Sequence, residues 1–322
     1  MDDILIFGLS QSKKMAKSIN DLLGLKNPGV KFTRFANGEM LTYPSTSVRG
    51  KIVYVIQSTS NPSSDSIMEL LIFLDSLKRS SVKEVNVIIP FYGYARQDRK
   101  AKGRQPITAK LLADMLENVG INRLITVDLH SSQVQGFFDV PVDDLKGIYL
   151  IKEEIEKQKM DNMIVVSPDH GGINRARVLS NMLKTNLSIL DKKRSKPNES
   201  RVLNVLGDPL DGKNAIIIDD MIDTGGTIYN TIKVAEELGA KSVSIFCTHG
   251  IFSNDGLYKI TNEKIVKSIY MTNSIENKIP EYLEKTDKLR IISLDKLISK
   301  LIKAQTLNQS TSNIYDNIKI KK

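Results

Sequence analysis

The sequence is poor in cysteine and lacks a long uninterrupted apolar run. Its 322 residues include one cysteine, Cys247, which excludes an intrachain disulfide framework. The apolar run around it, SVSIFCT, predicts a small buried residue rather than a nucleophile. No apolar stretch is long enough to span a membrane, and the first residues, MDDILIFG, carry acids where a secretory signal needs bases. We therefore expect a cytoplasmic protein with no membrane partner.

Aromatic residues interleaved with basic ones are also lacking. The net charge is +9, and basic runs such as RQDRK (96–100) supply part of it. This balance suits nucleic acid, membranes and small polyanions alike, so charge alone does not choose among them. Because no recognisable nucleic-acid-binding module accompanies the charge, we expect no nucleic-acid partner.

Short apolar runs alternating with helical patterns predict an α/β protein whose parallel sheets are covered by helices. A prior of about 150 residues per domain predicts two domains. A faint echo of VNVIIP in MIVVSP, and of LITVDLHS in AIIIDDMI, suggests two similar halves meeting near residue 147. The predicted strands are Ile4–Phe7, Ile52–Ile56, Val85–Ile89, Leu124–Val127, Ile164–Val166, Ala215–Ile218 and Val243–Cys247. The predicted helices are Ser12–Leu23, Pro62–Leu77, Ala109–Leu116, Asn174–Leu183 and Ile228–Leu238.

Parallel sheets bind ligands at the carboxyl ends of their strands, and the stretch AIIIDDMIDTGGT (215–227) follows one such strand. Its Thr-Gly-Gly-Thr end lets backbone N–H groups converge at a helix N-terminus, which predicts a seat for a phosphate monoester. The alternative is a plain turn capped by Thr227. Asp219 and Asp220 would repel a phosphate, but they can accept hydrogen bonds from sugar hydroxyls or hold magnesium. Together these features indicate a sugar phosphate.

Two other predicted strands end in residues that suit a cation. Asp169 opens an Asp-x-Gly-Gly turn that offers N–H groups to a second polyphosphate, with the carboxylate holding a neutralising cation. An ordinary Asx turn is the alternative. His130 follows Asp128 at another strand end, although a lone histidine is more often structural. Because Mg²⁺ prefers oxygen ligands, a histidine contact would run through water.

Three further polar segments have side chains that suit a nucleotide. FANGE (35–39) and ARQDRK (95–100) offer hydrogen bonds for adenine and ribose, and Arg96 offers a planar fork for phosphate. KKRSKPNESR (192–201) reads as an exposed loop whose cations stabilise charge on a transferring phosphoryl group. Taken singly, each basic run is better explained as a solvated surface.

Taken together, these segments resemble the ribose-phosphate pyrophosphokinase family over nearly the whole chain. FANGE, PFYGYARQDRK, DLHSSQVQGFF, the Asp-x-Gly-Gly turn, DKKR and IIIDDMIDTGGT occur in the family's order and approximate spacing. The resemblance implies transfer of the β,γ-diphosphoryl group of ATP to the 1-hydroxyl of ribose 5-phosphate, which gives 5-phosphoribosyl 1-diphosphate (PRPP) and AMP for nucleotide biosynthesis.

The resemblance also implies an architecture. We expect two phosphoribosyltransferase-like domains of type I, at residues 1–146 and 147–303, each a mainly parallel sheet flanked by helices. A C-terminal tail, about 304–322, packs back on the first domain. Family members usually assemble as hexamers built from dimers, with ATP bound partly by a neighbouring subunit, so we expect a homohexamer.

The family's functional residues carry over motif by motif. ATP would be bound by Asn37, Gly38, Glu39, Arg96 and Gln97. Mg²⁺ would lie at His130 and Asp169, and Lys192 and Arg194 would stabilise the transition state. Ribose 5-phosphate would contact Arg194, Asp219, Asp223, Thr224, Gly225, Gly226 and Thr227. A regulatory site for the effectors phosphate and ADP would involve Ser47, Arg49, Ser81, Arg104, Ser310 and Ser312.

Two positions depart from the commonest family pattern. Asn37 stands where many members have aspartate, so the acceptor is kept and the charge is lost. Gly225 stands where many have alanine or cysteine, which should leave the free loop more flexible.

Two competing readings account for less of the sequence. A phosphoribosyltransferase, which consumes PRPP, would explain DDMIDTGGT but would leave FANGE and RQDRK without a role. A non-catalytic regulatory homologue should show losses around the catalytic segments. The intact side chains of Lys192, Arg194, His130 and Asp169 argue against that reading.

Overall fold

The computed structural model describes residues 3–193, 202–276 and 288–315. These residues form two compact units. The first comprises the described residues up to 146 together with 274–276 and 294–314. The second comprises 147–193, 202–273, 288–293 and Tyr315.

Strands and helices alternate along most of both units. The strands are β1 (Ile4–Gly8), β2 (Val30–Arg34), β3 (Met40–Pro44), β4 (Ile52–Ile56), β5 (Glu84–Ile89), β6 (Arg123–Val127), β7 (Val142–Leu145), β8 (Met163–Ser167), β9 (Asn186–Lys193), β10 (Val202–Gly207), β11 (Asn214–Ile222), β12 (Ser242–Gly250), β13 (Val266–Thr272) and β14 (Leu289–Ile292). The helices are α1 (Lys13–Leu23), α2 (Ser63–Arg79), α3 (Thr108–Val119), α4 (Ile148–Lys157), α5 (Ile173–Leu183), α6 (Gly226–Glu237), α7 (Gly256–Thr261) and α8 (Asp295–Thr306). Short 3-10 helices lie at Ser132–Phe137 and Thr311–Tyr315.

The first unit is built on a five-stranded, fully parallel sheet in the order β1-β4-β5-β6-β7. One face buries Phe7, Val55 and Val87 against apolar residues of α2 and α3, such as Phe73 and Leu116. Helix α8 packs against α1 in this unit, although 147–303 was predicted as one domain. Strands β2 and β3 pair separately as an antiparallel hairpin.

The second unit is built on a seven-stranded sheet in the order β10-β9-β8-β11-β12-β13-β14. All its neighbours pair in parallel except β9 and β10. Alternate residues of β11 face opposite sides: Ile217 packs with α6, and Ile216 packs with α4 and α5. Burial on both faces explains why the central strands read as continuous apolar runs rather than alternating ones.

Every predicted strand and helix is present, and the predicted α/β class is confirmed. One loop prediction needs correction, because Lys192 and Lys193 are the last residues of β9 and pair with β10. Their sequence carries no strand pattern of its own, and the antiparallel ladder supplies the hydrogen bonds. The remainder of that predicted loop up to residue 201, including Arg194, lies outside the described residues. None of the described helices has the length and apolar character needed to cross a membrane.

Candidate active site

The predicted phosphate seat lies between β11 and α6. Strand β11 continues to Ile222, and α6 begins at Gly226 after Gly225 adopts a left-handed conformation with φ of 73°. The carbonyl of Gly225 accepts the N–H of Tyr229 at 2.8 Å. The first N–H groups of a helix have no partner within the helix, and its dipole favours an anion there. The segment therefore offers backbone N–H groups of the kind that suit a phosphate.

A second glycine, Gly256, sets the close packing beneath this loop. It is the first residue of α7, and a Cβ built on it would lie 2.7 Å from the carbonyl carbon and oxygen of Thr224. A Cβ at Gly225 would in turn lie 3.0 Å from the carbonyl oxygen of Gly256. The backbone of the loop at 224–225 therefore packs directly against the backbone of Gly256. Gly225 consequently has less conformational freedom than we expected from its residue type. Sequence reasoning missed Gly256, because its partner lies 32 positions away along the chain.

Two carboxylates and an arginine lie at the end of β11. Arg175 on α5 places Nη1 3.5 Å from Oδ1 of Asp219 and 3.3 Å from Oδ1 of Asp220. Oδ1 of Asp219 also accepts the N–H of Asp220 at 2.8 Å. Both acids belong to β11, which runs four residues beyond its predicted end at Ile218. Sequence reasoning missed Arg175, although the correctly placed helix after the Asp-x-Gly-Gly turn was a signal for it.

The pKa of Asp219 is raised well above its ordinary value of 3.8. Burial is the main cause. A hydrogen bond that protonated Asp219 donates to Asp220 and repulsion by the Asp220 charge add to it, while Arg175 opposes the shift. Two adjacent carboxyl groups therefore share a proton more readily than either would hold one alone. Burial raises the pKa of the Cys247 thiol on the neighbouring strand, and the charges of Asp219 and Asp220 add to the shift. The prediction of a small buried cysteine is confirmed.

The Asp-x-Gly-Gly turn joins β8 to α5. Oδ1 of Asp169 accepts the N–H of Gly172 at 3.0 Å, and the Ser167 hydroxyl donates to the carbonyl of Asp169 at 2.8 Å. These bonds are those of an ordinary Asx-type turn, the alternative that the sequence left open. Asp169 is nonetheless exposed, so its carboxylate is accessible to a cation.

His130 follows the carboxyl end of β6. Its neighbour Asp128 is buried and has φ of 43°, an uncommon backbone for a residue other than glycine. Backbone N–H groups of Asp128 and Leu129 bond to the carbonyl of Leu145 and to Asp144. This anchoring leaves the His130 side chain exposed at the ligand edge of the first sheet.

Asn37, Gly38 and Glu39 form the turn of the β2–β3 hairpin. Oδ1 of Asn37 accepts the N–H of Glu39 at 3.1 Å, and Gly38 has φ of 90°. Arg34 donates to the carbonyl of Gly38 at 3.2 Å. The amide at position 37 therefore shapes the turn, which leaves the carboxylate of Glu39 exposed.

Arg96 and Gln97 lie in the segment between β5 and α3. Gln97 accepts a hydrogen bond from Thr108, the first residue of α3, and its own N–H donates to the carbonyl of Tyr94 at 2.8 Å. Further back in the segment, the N–H of Gly93 donates to Oγ1 of Thr59 at 2.6 Å. Arg96 is exposed. Thr59, in the loop after β4, thus holds the segment that follows β5 in place. The sequence analysis did not single out Thr59.

The residues predicted for a regulatory site are all exposed within the first unit. The carbonyl of Ser81 accepts the N–H of Gly50 at 2.9 Å, which brings Ser81 beside the segment carrying Ser47 and Arg49. The hydroxyls of Ser310 and Ser312 lie 2.6 Å apart. Ser81 and Arg104 both have left-handed backbones, so their loops are sharply turned.

Comparison with known proteins agrees with these motifs. Residues 4–120 match the N-terminal domain of ribose phosphate pyrophosphokinase, and residues 189–316 match a phosphoribosyl synthetase-associated domain. The ribose-phosphate pyrophosphokinase of Mycoplasmopsis pulmonis is 46% identical over 97% of this chain and 96% of its own length. That of Bacillus subtilis is 44% identical over 97% of each. The crystal structure of phosphoribosylpyrophosphate synthetase from Mycobacterium smegmatis has a TM-score of 0.88 and 36% identity, covering 95% of this chain and 99% of that one.

The fold defines the class first: an α/β protein built on two mainly parallel sheets flanked by helices, with a glycine-containing loop that leads from β11 into α6. The full-length matches then define the family, and the chain belongs to the ribose-phosphate pyrophosphokinases. The predictions of family, fold class and enzymatic nature are confirmed.

Proposed function

We propose that the protein transfers the β,γ-diphosphoryl group of ATP to the 1-hydroxyl of ribose 5-phosphate, giving PRPP and AMP for nucleotide biosynthesis. The family relationship over 97% of the chain carries this proposal. The geometry after β11 supports it, because a phosphate seat and two carboxylates follow one another along the same segment. An ATP-consuming enzyme of this kind would act in the cytoplasm.

In this proposal the residues after β11 bind ribose 5-phosphate. Backbone N–H groups of the segment Asp223–Thr227 hold the 5-phosphate, and the Thr224 and Thr227 hydroxyls add donors. Asp219 bonds the ribose hydroxyls, and Arg175 holds it in place. A protonated Asp219 can donate a hydrogen bond as well as accept one, which suits hydroxyls that do both.

ATP is assigned to the first unit. Asn37, Gly38 and Glu39 present a tight turn with one exposed carboxylate, and Arg96 and Gln97 add a guanidinium and an amide. Planar donors and acceptors of this type recognise phosphates and base edges. As in the family pattern, a neighbouring subunit of a homohexamer built from dimers would contribute to the site.

Magnesium fits the donors that are present. Among the described residues, no group of three histidine, cysteine, aspartate or glutamate side chains converges as a protein-only cage would require. Mg²⁺ bound with nucleotides relies instead on one or two protein contacts, substrate phosphates and water. The exposed Asp169 carboxylate would hold it directly, and His130 would contact it through water. When bound, the ion neutralises charge on the phosphates.

The reaction needs positioning more than covalent chemistry from the protein. The oxygen of the 1-hydroxyl forms a bond to the β-phosphorus and loses its proton. The bond from the β-phosphorus to the α,β-bridging oxygen breaks, and AMP leaves with that oxygen. Lys192, at the end of β9, and Arg194, outside the described residues, would stabilise the charge that develops during transfer.

Phosphate and ADP are proposed as effectors. Ser47, Arg49 and Ser81 form one group of donors near the turn at Gly50. Arg104, Ser310 and Ser312 belong to the same unit. If phosphate activates the enzyme through this site, its rate should rise on phosphate titration in otherwise phosphate-free buffer.

The decisive assay incubates the purified protein with ATP, Mg²⁺ and ribose 5-phosphate and resolves the nucleotides. AMP formed in step with PRPP, and only when ribose 5-phosphate is present, would support the proposal. ADP in place of AMP would overturn the mechanism. Absence of turnover with phosphate supplied and a working control enzyme would instead favour a non-catalytic homologue.

A further inference from the structure

A buried carboxylate lies under the ligand edge of the first sheet and belongs to none of the motifs described above. Glu69 on α2 is only 3% exposed. Its Oε1 accepts the backbone N–H of Ser10 at 3.2 Å, and its Oε2 accepts the Ser10 hydroxyl and Nε2 of Gln57, the latter at 2.9 Å. Among the described residues, no lysine, arginine or histidine forms an ion pair with it.

A buried charge that relies on neutral donors is costly unless each donor is well placed. The three donors come from two loops that follow neighbouring parallel strands, β1 and β4. Glu69 therefore joins the two loops at the edge where a parallel sheet binds its ligand.

Gln57 links Glu69 to the β1–α1 loop through both ends of its amide group. Its Nε2 bonds Glu69, and its Oε1 accepts the N–H of Gln11 at 3.1 Å. One residue later, the N–H of Ser58 donates to the hydroxyl of Ser12 at 2.9 Å. The segment after β4 is thus held on one side by the β1–α1 loop and on the other by α2.

The segment after β4 also contains Thr59, which contacts the chain just before the proposed ATP-binding residues Arg96 and Gln97. Thr59 donates through Oγ1 to the carbonyl of Phe91 at 2.9 Å and accepts the N–H of Gly93 at 2.6 Å. A Cβ on Gly93 would lie 2.5 Å from the carbonyl oxygen of Thr59, so the two backbones are in direct contact. Arg96 and Gln97 follow a few residues later.

We infer that Glu69 is a positioning residue for ATP, acting through Gln57 and Thr59 on the segment 91–97. This inference rests on the proposed function. The carboxylate is the acceptor for three donors at once, and an amide in its place presents only one acceptor oxygen. Its NH₂ group would then face a donor, and the segments 57–60 and 91–97 would shift together.

The test compares Glu69→Gln with Asp75→Asn, which neutralises an exposed carboxylate on the same helix. We expect Glu69→Gln to raise the KM for ATP about tenfold, because small displacements of binding groups are costly. The KM for ribose 5-phosphate should change much less, and Asp75→Asn should change neither. Hydrogen exchange should rise at 57–60 and 91–97 and stay unchanged at 223–227.

Thr59→Val provides an independent test, since it removes the hydroxyl bonds to Phe91 and Gly93 but leaves Glu69 and its donors in place. It should reproduce the selective effect on ATP, and it keeps the inference testable if Glu69→Gln fails to fold. Equal changes in both KM values, or unchanged exchange at 91–97, would show a merely structural role and overturn the inference. A wild-type protein without diphosphoryl transfer would overturn the proposed function instead.

Discussion

At the scale of single residues, the charges at the end of β11 depend on one another. Asp219 and Asp220 lie side by side, and Arg175 is the cation that contacts both. A protonated Asp219 reduces the repulsion within the pair, and the guanidinium holds the pair in one arrangement. The stability of the second unit should therefore respond to pH and to the loss of either kind of charge.

The raised pKa of Asp219 makes a prediction about stability. An acid whose pKa is higher in the folded state binds more protons folded than unfolded between the two pKa values. The free energy of unfolding therefore falls as pH rises from 3.8 towards the folded pKa. Asp219→Asn mimics the protonated acid, so it should raise the free energy of unfolding at neutral pH, and this gain should vanish near pH 4.

Denaturant unfolding of wild type and Asp219→Asn across this pH range measures the difference directly. Asp21→Asn, which neutralises an exposed carboxylate paired with Lys17, is the matched control and should show little pH-dependent gain. A wild-type protein more stable than Asp219→Asn at neutral pH would contradict the assignment of a raised pKa.

Removal of Arg175 should have the opposite effect. Arg175→Ala leaves two largely buried carboxylates without their cation, and we expect a loss of about 1–3 kcal/mol in the free energy of unfolding. The KM for ribose 5-phosphate should also rise, because Asp219 loses its support. Arg177→Ala, which removes an exposed arginine of the same helix, should be near neutral. Comparable losses in the two variants would refute a special role for Arg175.

At the scale of secondary-structure elements, the central parallel strands and their flanking helices could be predicted from sequence. Strands such as β4 and β11 are buried on both faces, so their residues form apolar runs that stand out locally. The β2–β3 hairpin could not be predicted in this way, because most of its residues are exposed and its pairing depends on the partner strand. Strands β9 and β10 were missed because their antiparallel pairing also depends on the partner strand.

The predicted site follows the same division. The strand-to-helix loop that was predicted to hold phosphate could be located because a single segment, 223–227, contains the glycines, the hydroxyls and the helix start. The contacts of Arg175, Gly256, Thr59 and Glu69 join positions that are far apart along the chain. Only the folded arrangement of loops at the sheet edge reveals these contacts.

The contact between the loops after β4 and β5 predicts that Gly93 has no acceptable substitute. In Gly93→Ala the new methyl would meet the Thr59 carbonyl at 2.5 Å, and backbone cannot rotate away as a side chain can. We expect a loss of about 1–3 kcal/mol, typical of overpacking, with a raised KM for ATP. Thermal unfolding and steady-state kinetics measure the two effects.

Gly103→Ala is the control for Gly93→Ala, because it adds the same methyl where no atom lies within 4 Å. It should leave stability unchanged or slightly improved, since alanine reduces the entropy of the unfolded chain. A Gly93→Ala protein as stable as Gly103→Ala would mean that the two loops separate easily, and the coupling between Thr59 and the ATP segment would then be weak.

At the scale of the whole molecule, the net charge of +9 does not require a nucleic-acid partner. Part of this charge comes from Lys159, Lys241 and Lys264, which are exposed. These lysines line a cleft of about 410 Å³ at the edge of the second sheet where its parallel strands begin. Each follows the C-terminal end of a helix, namely α4, α6 and α7. Cations close to a helix C-terminus interact favourably with the helix dipole, so this part of the charge does not call for a polyanionic partner.

The exposed apolar side chains of the β2–β3 hairpin predict how copies of the chain assemble. Leu41 and Tyr43 lie on one face of β3 and are 43% and 44% exposed. Apolar side chains grouped on an exposed hairpin are typical of a buried interface. We expect wild type to form a hexamer and the double variant Leu41→Ser, Tyr43→Ser to form a smaller species, measured by light scattering with size-exclusion chromatography.

Activity distinguishes an assembly surface from an incidental apolar patch. If a neighbouring subunit completes the ATP site, the smaller species should bind ATP more weakly and lose most of its turnover, while ribose 5-phosphate still protects the second unit from heat. Leu22→Ser removes a comparably exposed leucine from α1 and should keep both mass and activity. A hexamer with full activity after the hairpin substitutions would place the interface elsewhere, because exposed serines cannot replace the apolar area that assembly removes from water.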